Sequence, residues 1–447
     1  MNNSSEFLGT KNIKKLLIEL SGPAIIGMIV LSLYNLVDAI FVGRFVGTIA
    51  IAGVAITFPV QMIVMALSLT IGIGASSIIS RRLGEGQKNE AEVVLGNFVS
   101  LTIIFSLAVT IIGLILLTPL LKIFGATTDI LLPAQEYLRI ILIGTLGLMI
   151  SASGNNVIRA EGNAKFAMIV MLVSAGMNII LDPIFIVVLN WGIKGAAWAT
   201  VVSQFGSAVL VFYYFFKAKG DLKIRLNYLR LKFITIKEIF VIGSSTFARQ
   251  VSASFGAIIV NHAFGLYGGS LAIAAFGIIY RLLMFLLMPM FGIIQGLQPI
   301  VGYNYGAQNY HRVKESVILA TKITTILAVI SYALLMLMPK IFIGMFTTDT
   351  ELITMSAGAL RIVILFMPLI GFQVIAGGMF QSMGKAGPAF ILSLLRQTLL
   401  VIPLILILPT FFKLPGVWWT FPIADLVAGI VTYFMFVRTL KDLTKGI

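Results

Sequence analysis

Long apolar runs, broken by glycine, proline or charge, fill most of the chain. They fall at about 16–43, 48–79, 93–117, 134–158, 166–189 and 195–216, and again at 238–265, 270–300, 314–338, 351–380, 389–411 and 416–437. Within a run the apolar residues are continuous and do not alternate with polar ones. A backbone in hydrocarbon must satisfy its own hydrogen bonds, so only helices and closed barrels cross a bilayer, and barrel strands alternate with period two. The runs therefore predict helices, each close to the ~20 residues that span the hydrocarbon core. The expected fold class is an all-α integral membrane protein of twelve transmembrane helices.

The two sets of six runs repeat one another. Thr127–Asp129 (TTD) recurs as Thr347–Asp349, and each is preceded by KIF, at Lys122–Phe124 and Lys340–Phe342. Leu138–Ile140 (LRI) recurs at Leu360–Ile362, Gly162-Asn163-Ala164 is answered by Gly384-Lys385-Ala386, and Ala50-Ile51-Ala52 by Ala272-Ile273-Ala274. An even number of spans per half makes both halves enter from the same side, so the repeats are related by a pseudo-two-fold axis along the membrane normal. The expected organisation is an N-terminal lobe at 1–216, a basic linker at 217–237 and a C-terminal lobe at 238–447.

Composition agrees with this reading and narrows it. Of 447 residues, 59% are hydrophobic and 11% charged, against roughly 25% charged in a soluble domain. The net charge of +15 is explained by the cytoplasmic bias of Lys and Arg and calls for no nucleic acid. With both termini inside, 21 basic residues fall on the cytoplasmic side and six outside, at Arg44, Lys122, Arg139, Lys194, Lys340 and Lys413. Met1 to Lys15 reads as a cytoplasmic tail. The absence of cysteine excludes disulfides and thiolate chemistry, and two histidines cannot build a histidine metal cluster. His262, near the outer end of the seventh span, is expected to be a packed or hydrogen-bonded residue. No nucleotide-binding GxxxxGK[ST], HExxH or GxSxG is present. The chain is therefore not expected to be an enzyme, and uphill transport would draw on an ion gradient.

Among the acids, only Asp38, Asp182 and Asp425 lie well inside predicted spans. A charge in the bilayer is costly unless it faces a cavity or a partner, so each is either a functional group or half of a structural pair with an embedded base. The embedded bases, Arg249, Arg281, Lys322, Arg361 and Arg396, all belong to the second half. At 1.5 Å per residue, Asp38 and Thr200 lie ~9 Å from the outer ends of their helices, Asp182 ~12 Å and Tyr137 ~6 Å. Asn35 with Asp38, and Asn178 with Asp182, have the i,i+3 and i,i+4 spacing of one helix face. Pro183 frees a helical carbonyl beside Asp182.

Gly22-Pro23-Ala24, NLVDAIFVGRFVG at Asn35–Gly47, MNIILDPIFI at Met177–Ile186 and GIKGAAWAT at Gly192–Thr200 resemble the multidrug and toxic compound extrusion (MATE) family over essentially the whole chain. The resemblance implies a coupling-ion site in the N-terminal lobe at Asp38, Asn178, Asp182 and Thr200, with Tyr137 as a neighbour. It also implies a first helix that bends at Pro23. Acids used by other branches in the seventh, eighth or tenth helix have no counterpart here.

Phe58, Met62 and Met65 form an i, i+4, i+7 stripe that recurs as Tyr280, Met284 and Met288. With Gln61 these are candidates for a substrate cavity, since thioethers re-pack around differently shaped ligands; ordinary helix packing is the other reading. The expected function is a secondary antiporter exporting organic, mainly cationic compounds by alternating access. A flippase for a lipid-linked sugar or other amphiphile is the alternative, and a channel or receptor stands further off. Expected partners are small organic cations or amphiphiles and the lipid bilayer, with a monomer as the working unit. No cofactor is expected. The coupling ion stays open: a protonated Asp needs no coordination shell, which favours H+, while the same oxygens suit Na+.

Overall fold

The structure is a computed structural model that describes residues 5–41, 45–46, 48–217 and 220–445. Every regular element among them is helical. A short α1 (Phe7–Thr10) precedes α2 (Ile13–Phe41), α3 (Thr48–Gly84) and α4 (Lys88–Ile115). Then come α5 (Leu117–Ile123), α6 (Thr128–Ile143), α7 (Thr145–Ala160), α8 (Ala164–Asp182), which continues as a π-helical turn at Pro183–Val188, and α9 (Gly192–Lys217). The second half holds α10 (Phe233–Gly306), α11 (Tyr310–Leu337), α12 (Pro339–Gly344), α13 (Thr350–Val363), α14 (Pro368–Ser382), α15 (Ala386–Leu394), a second π-helical stretch at Leu395–Val401, and α16 (Ile402–Lys445).

Eight helical stretches are long and apolar enough to cross a membrane, and two bent pairs, α6–α7 and α13–α14, are each long and apolar enough to do so together. As a straight rod the 74 residues of α10 would reach ~110 Å, several times the bilayer thickness. α10 breaks at Gly269 (φ 66°, ψ −165°) and is two spans. The stretch Ala386–Leu443 breaks in the same way at Lys413 (φ 52°, ψ −135°). Counting both hairpins as two spans gives the twelve expected from the apolar runs.

The internal repeat is visible in local geometry. The fourth span bends by 54° between α6 and α7, and its counterpart by 57° between α13 and α14. Both pairs end in the same left-handed turn, with φ 91° at Gly162 and 72° at Gly384. In each the amide two residues on, Ala164 or Ala386, donates to the glycine carbonyl at 3.0 Å. The recurring tripeptide is thus a turn device, since a residue with a Cβ is strained at such φ.

The halves meet at the end that carries the N-terminal segment and the basic linker. Side chains would obstruct α3 against α10 there: a Cβ on Gly74, Gly84, Gly243 or Gly306 would overlap a backbone carbonyl of Ile239, Tyr303, Thr70 or Arg81. Ser77 Oγ donates to the Gln381 carbonyl at 2.7 Å, and Arg81 Nη2 pairs with Glu238 Oε1 at 2.9 Å. Among the described residues, hydrogen bonds between the halves extend no further than Gln295 and Met28, near mid-span.

Three readings are refined. The N-terminal tail is packed: Leu8 is fully buried, and its carbonyl accepts from Asn304 Nδ2 at 2.9 Å and Arg312 Nη2 at 3.2 Å. Its polar composition hides this because backbone groups make the contacts. The seventh span begins at Phe233, inside the segment read as linker, and the rest of that segment is tied to α4 through Asn97, whose Nδ2 donates to the Tyr228 carbonyl and whose Oδ1 accepts from Lys232 N. His262 is exposed near the end of its span, not packed. Arg44, counted outside, lies beyond the described residues.

Candidate coupling and substrate sites

The two embedded acids of the first half come together from α2 and α8, with Thr200 of α9 beside them. Asp182 ends α8 and is fully buried, and Asn178, one turn earlier, is 1% exposed. Asn178 Nδ2 donates to Asp182 Oδ1 at 3.4 Å and to Thr200 Oγ1 of α9 at 3.5 Å. Asp38, near the end of α2, comes within hydrogen-bonding reach of Asp182. Pro183 has no N–H to offer the carbonyl one turn back, and the chain continues from Asp182 as a π-helical turn, a feature frequent at functional sites.

Tyr137 of α6 is buried beside both carboxyls. Tyr34 of α2 stands there too, close enough to interact with Asp38, Asp182 and Tyr137. Sequence reasoning passed over Tyr34, although its place one turn before Asp38 put it on the same helix face. The backbone of Asn35 is helical, and its side chain lies outside the described residues. Pro23 sits within α2.

Three oxygens in this pocket, Asp38 Oδ1, Asn178 Oδ1 and Asp182 Oδ2, are buried and have no hydrogen-bond partner. Among the described residues no Lys or Arg pairs with either carboxylate. Such a pocket presents acceptors to a proton or a small cation and is all oxygen in its donors, as hard cations require.

Asp425 differs. It is 1% exposed, and its carboxylate meets Arg396 through Nε and, at 3.3 Å, through Nη2. Of the proposed cavity stripe, Phe58 and Tyr280 are 56% and 47% exposed, while Gln61, Met62, Met65, Met284 and Met288 are half-buried. Gln61 Nε2 donates to Thr57 Oγ1 at 3.0 Å.

Two six-span repeats, with an acid pair that has no basic partner among the described residues enclosed within the first, have the architecture of a membrane transporter of the alternating-access kind. The sequence model of the MatE family matches the chain twice, over residues 23–184 and 246–407, and the chain belongs to that family of multidrug efflux transporters. The displacement of 246 − 23 = 223 residues between the two matches agrees with the internal repeat. The multidrug export protein MepA of Staphylococcus aureus (strain MSSA476) is 28% identical over 435 residues, covering 96% of both chains. A solved multidrug resistance MATE transporter in an outward-facing conformation superposes with a TM-score of 0.93 at 30% identity, over 99% of both chains. A MATE structure in a bent conformation gives the same score and identity, over 100% of this chain and 99% of that one.

Proposed function

We propose that the chain is an antiporter that exports small organic, mainly cationic compounds across the cell membrane in exchange for protons or sodium. Residues 1–216 and 238–447 act as lobes that rock about a central cavity, and 217–237 joins them on the cytoplasmic side. The observation that carries this reading is the enclosed pair Asp38 and Asp182, with unmatched oxygens and no basic partner among the described residues. A charge placed in a membrane without a partner is retained for function. Protons are the preferred ion, because two neighbouring carboxyls can share one proton without a coordination shell; sodium is the alternative. By the distribution of Lys and Arg, the end at which α3 meets α10 is the cytoplasmic one.

The test uses proteoliposomes in which proton and sodium gradients are imposed separately. A pH gradient in sodium-free medium should drive export of a cationic dye. Export that needs sodium at fixed pH would reverse the choice of ion, and export indifferent to both gradients would remove the antiport reading.

A further inference from the structure

The Arg396–Asp425 pair has no part in the coupling pocket, yet it lies in the middle of the second half. Asp425 and Tyr280 stand 425 − 413 = 12 and 280 − 269 = 11 residues from the breaks at Lys413 and Gly269, ~18 and ~16 Å along their helices. Asp425 is enclosed, with a side chain 2% exposed, whereas that of Arg396 is 40% exposed. Guanidinium at this depth is too costly to present to lipid tails, so its open edge faces a space that water or a polar ligand can enter.

The geometry leaves that edge available. Asp425 takes the Nε and Nη2 side of the guanidinium, and Gln373 Nε2 secures the Asp425 backbone through its carbonyl at 3.0 Å. The Nη1 group meets no acceptor among the described residues and is not enclosed. Arg396 is the second residue of the π-helical stretch Leu395–Val401 in the fifth span of its repeat, and Asp182 directly precedes Pro183–Val188 in the first. Tyr280, 47% exposed, is close enough to interact electrostatically with Arg396, and its ring neighbours Phe276 at 5.9 Å. A pair kept only for stability would do as well as apolar residues of the same volume, and would not leave two donors pointing into an open space.

We propose that Arg396, held side-on by Asp425, anchors the anionic group of a zwitterionic amphiphile, a carboxylate or sulfonate, while Tyr280 faces its aromatic or cationic part. This names a substrate class for the efflux reading and rests on it. Nη1 donates to the anion, Asp425 fixes the orientation of the guanidinium, and the Tyr280 ring face attracts positive charge.

The test is equilibrium binding, by fluorescence polarisation, of a cationic rhodamine methyl ester and its zwitterionic free acid to the purified full chain. Arg396→Gln should lower the affinity ratio of free acid to ester by roughly tenfold or more, as loss of a charge-assisted hydrogen bond does. Because that variant strands Asp425, Arg396→Gln/Asp425→Asn, which removes both charges, should show the same change of ratio. An unchanged ratio in the double variant, or a wild-type chain that binds the ester and not the acid, overturns the anchor. Binding needs no gradient, so either result leaves the antiport reading standing; failure to bind both dyes would count against both.

Discussion

Asp38 and Asp182 are neighbours with no base beside them among the described residues, whereas Asp425 is paired with Arg396. Amide substitution therefore has different consequences at these positions. Asp38→Asn or Asp182→Asn removes a titratable charge at little steric cost and strands no partner. Each variant should be made normally and lose gradient-driven export of a cationic dye, and retention of the parental rate by either would remove it from the coupling role. A second titratable group lies outside the spans. Glu161, in the turn after α7, is 2% exposed and lines a cavity of about 200 Å³. Tyr214 Oη donates to its Oε2 at 2.9 Å and Asp221 N at 3.2 Å, while Oε1 has no partner. Burial pushes its carboxyl up to about 8 from 4.5. The packed state thus binds the proton more tightly than an exposed carboxyl does. Its contribution to stability is complete below about 4.5, declines as pH rises, and is lost above about 8, by proton linkage. The melting temperature of the purified chain should fall over that window, and Glu161→Gln should flatten the fall; an equal slope in both proteins would assign the dependence elsewhere. The embedded acids were legible from the sequence because any charge in an apolar run stands out. Glu161 was not, since it lies beside polar residues and only its surroundings bury it.

At the scale of elements, the contact of α3 with α10 depends on glycine. The backbone carbonyl of Thr70 occupies the space a side chain on Gly243 would need, and a backbone cannot step aside as a flexible side chain can. Overpacking of this kind costs about 1–3 kcal/mol. Gly243→Val should weaken the sealed end and favour its opening. Since the chain has no cysteine, Ser77→Cys, at a position 6% exposed, serves as the reporter. Its reaction with a thiol reagent should quicken roughly fivefold or more when Gly243→Val is added, following from that cost. An unchanged rate would show that the seal does not depend on this approach. The helices themselves were readable from apolar run length, and their breaks at Gly269 and Lys413 were already marked by loops between runs. The π-helical turns were not, because they arise where inter-helix packing overrides the regular ladder.

For the whole molecule, the 21-to-six division of basic residues places Thr128 and Thr348 outside and Gln87 and Asn227 inside. All four are exposed, so access depends on sidedness alone. In intact cells, single cysteines at Thr128 and Thr348 should react with an impermeant thiol reagent, and those at Gln87 and Asn227 should not. Labelling at Gln87 would invert the topology.

The sequence by itself determined the class of molecule: apolar runs too long and too continuous for any soluble fold, a repeat that halves the chain, and a small set of charges that hydrocarbon does not tolerate unpaired. These are properties of local composition, and the bilayer acts on them one helix at a time. Which charges meet was decided only in three dimensions. Asp38 reaches Asp182 across 144 residues (182 − 38), Asp425 finds Arg396 through a hairpin, and the N-terminal segment docks against Asn304 and Arg312. Contacts of this kind depend on how ridged helix surfaces rotate and pack against one another. That rotation is set by the fit of whole faces, glycine approaches included, and no single stretch of sequence records it.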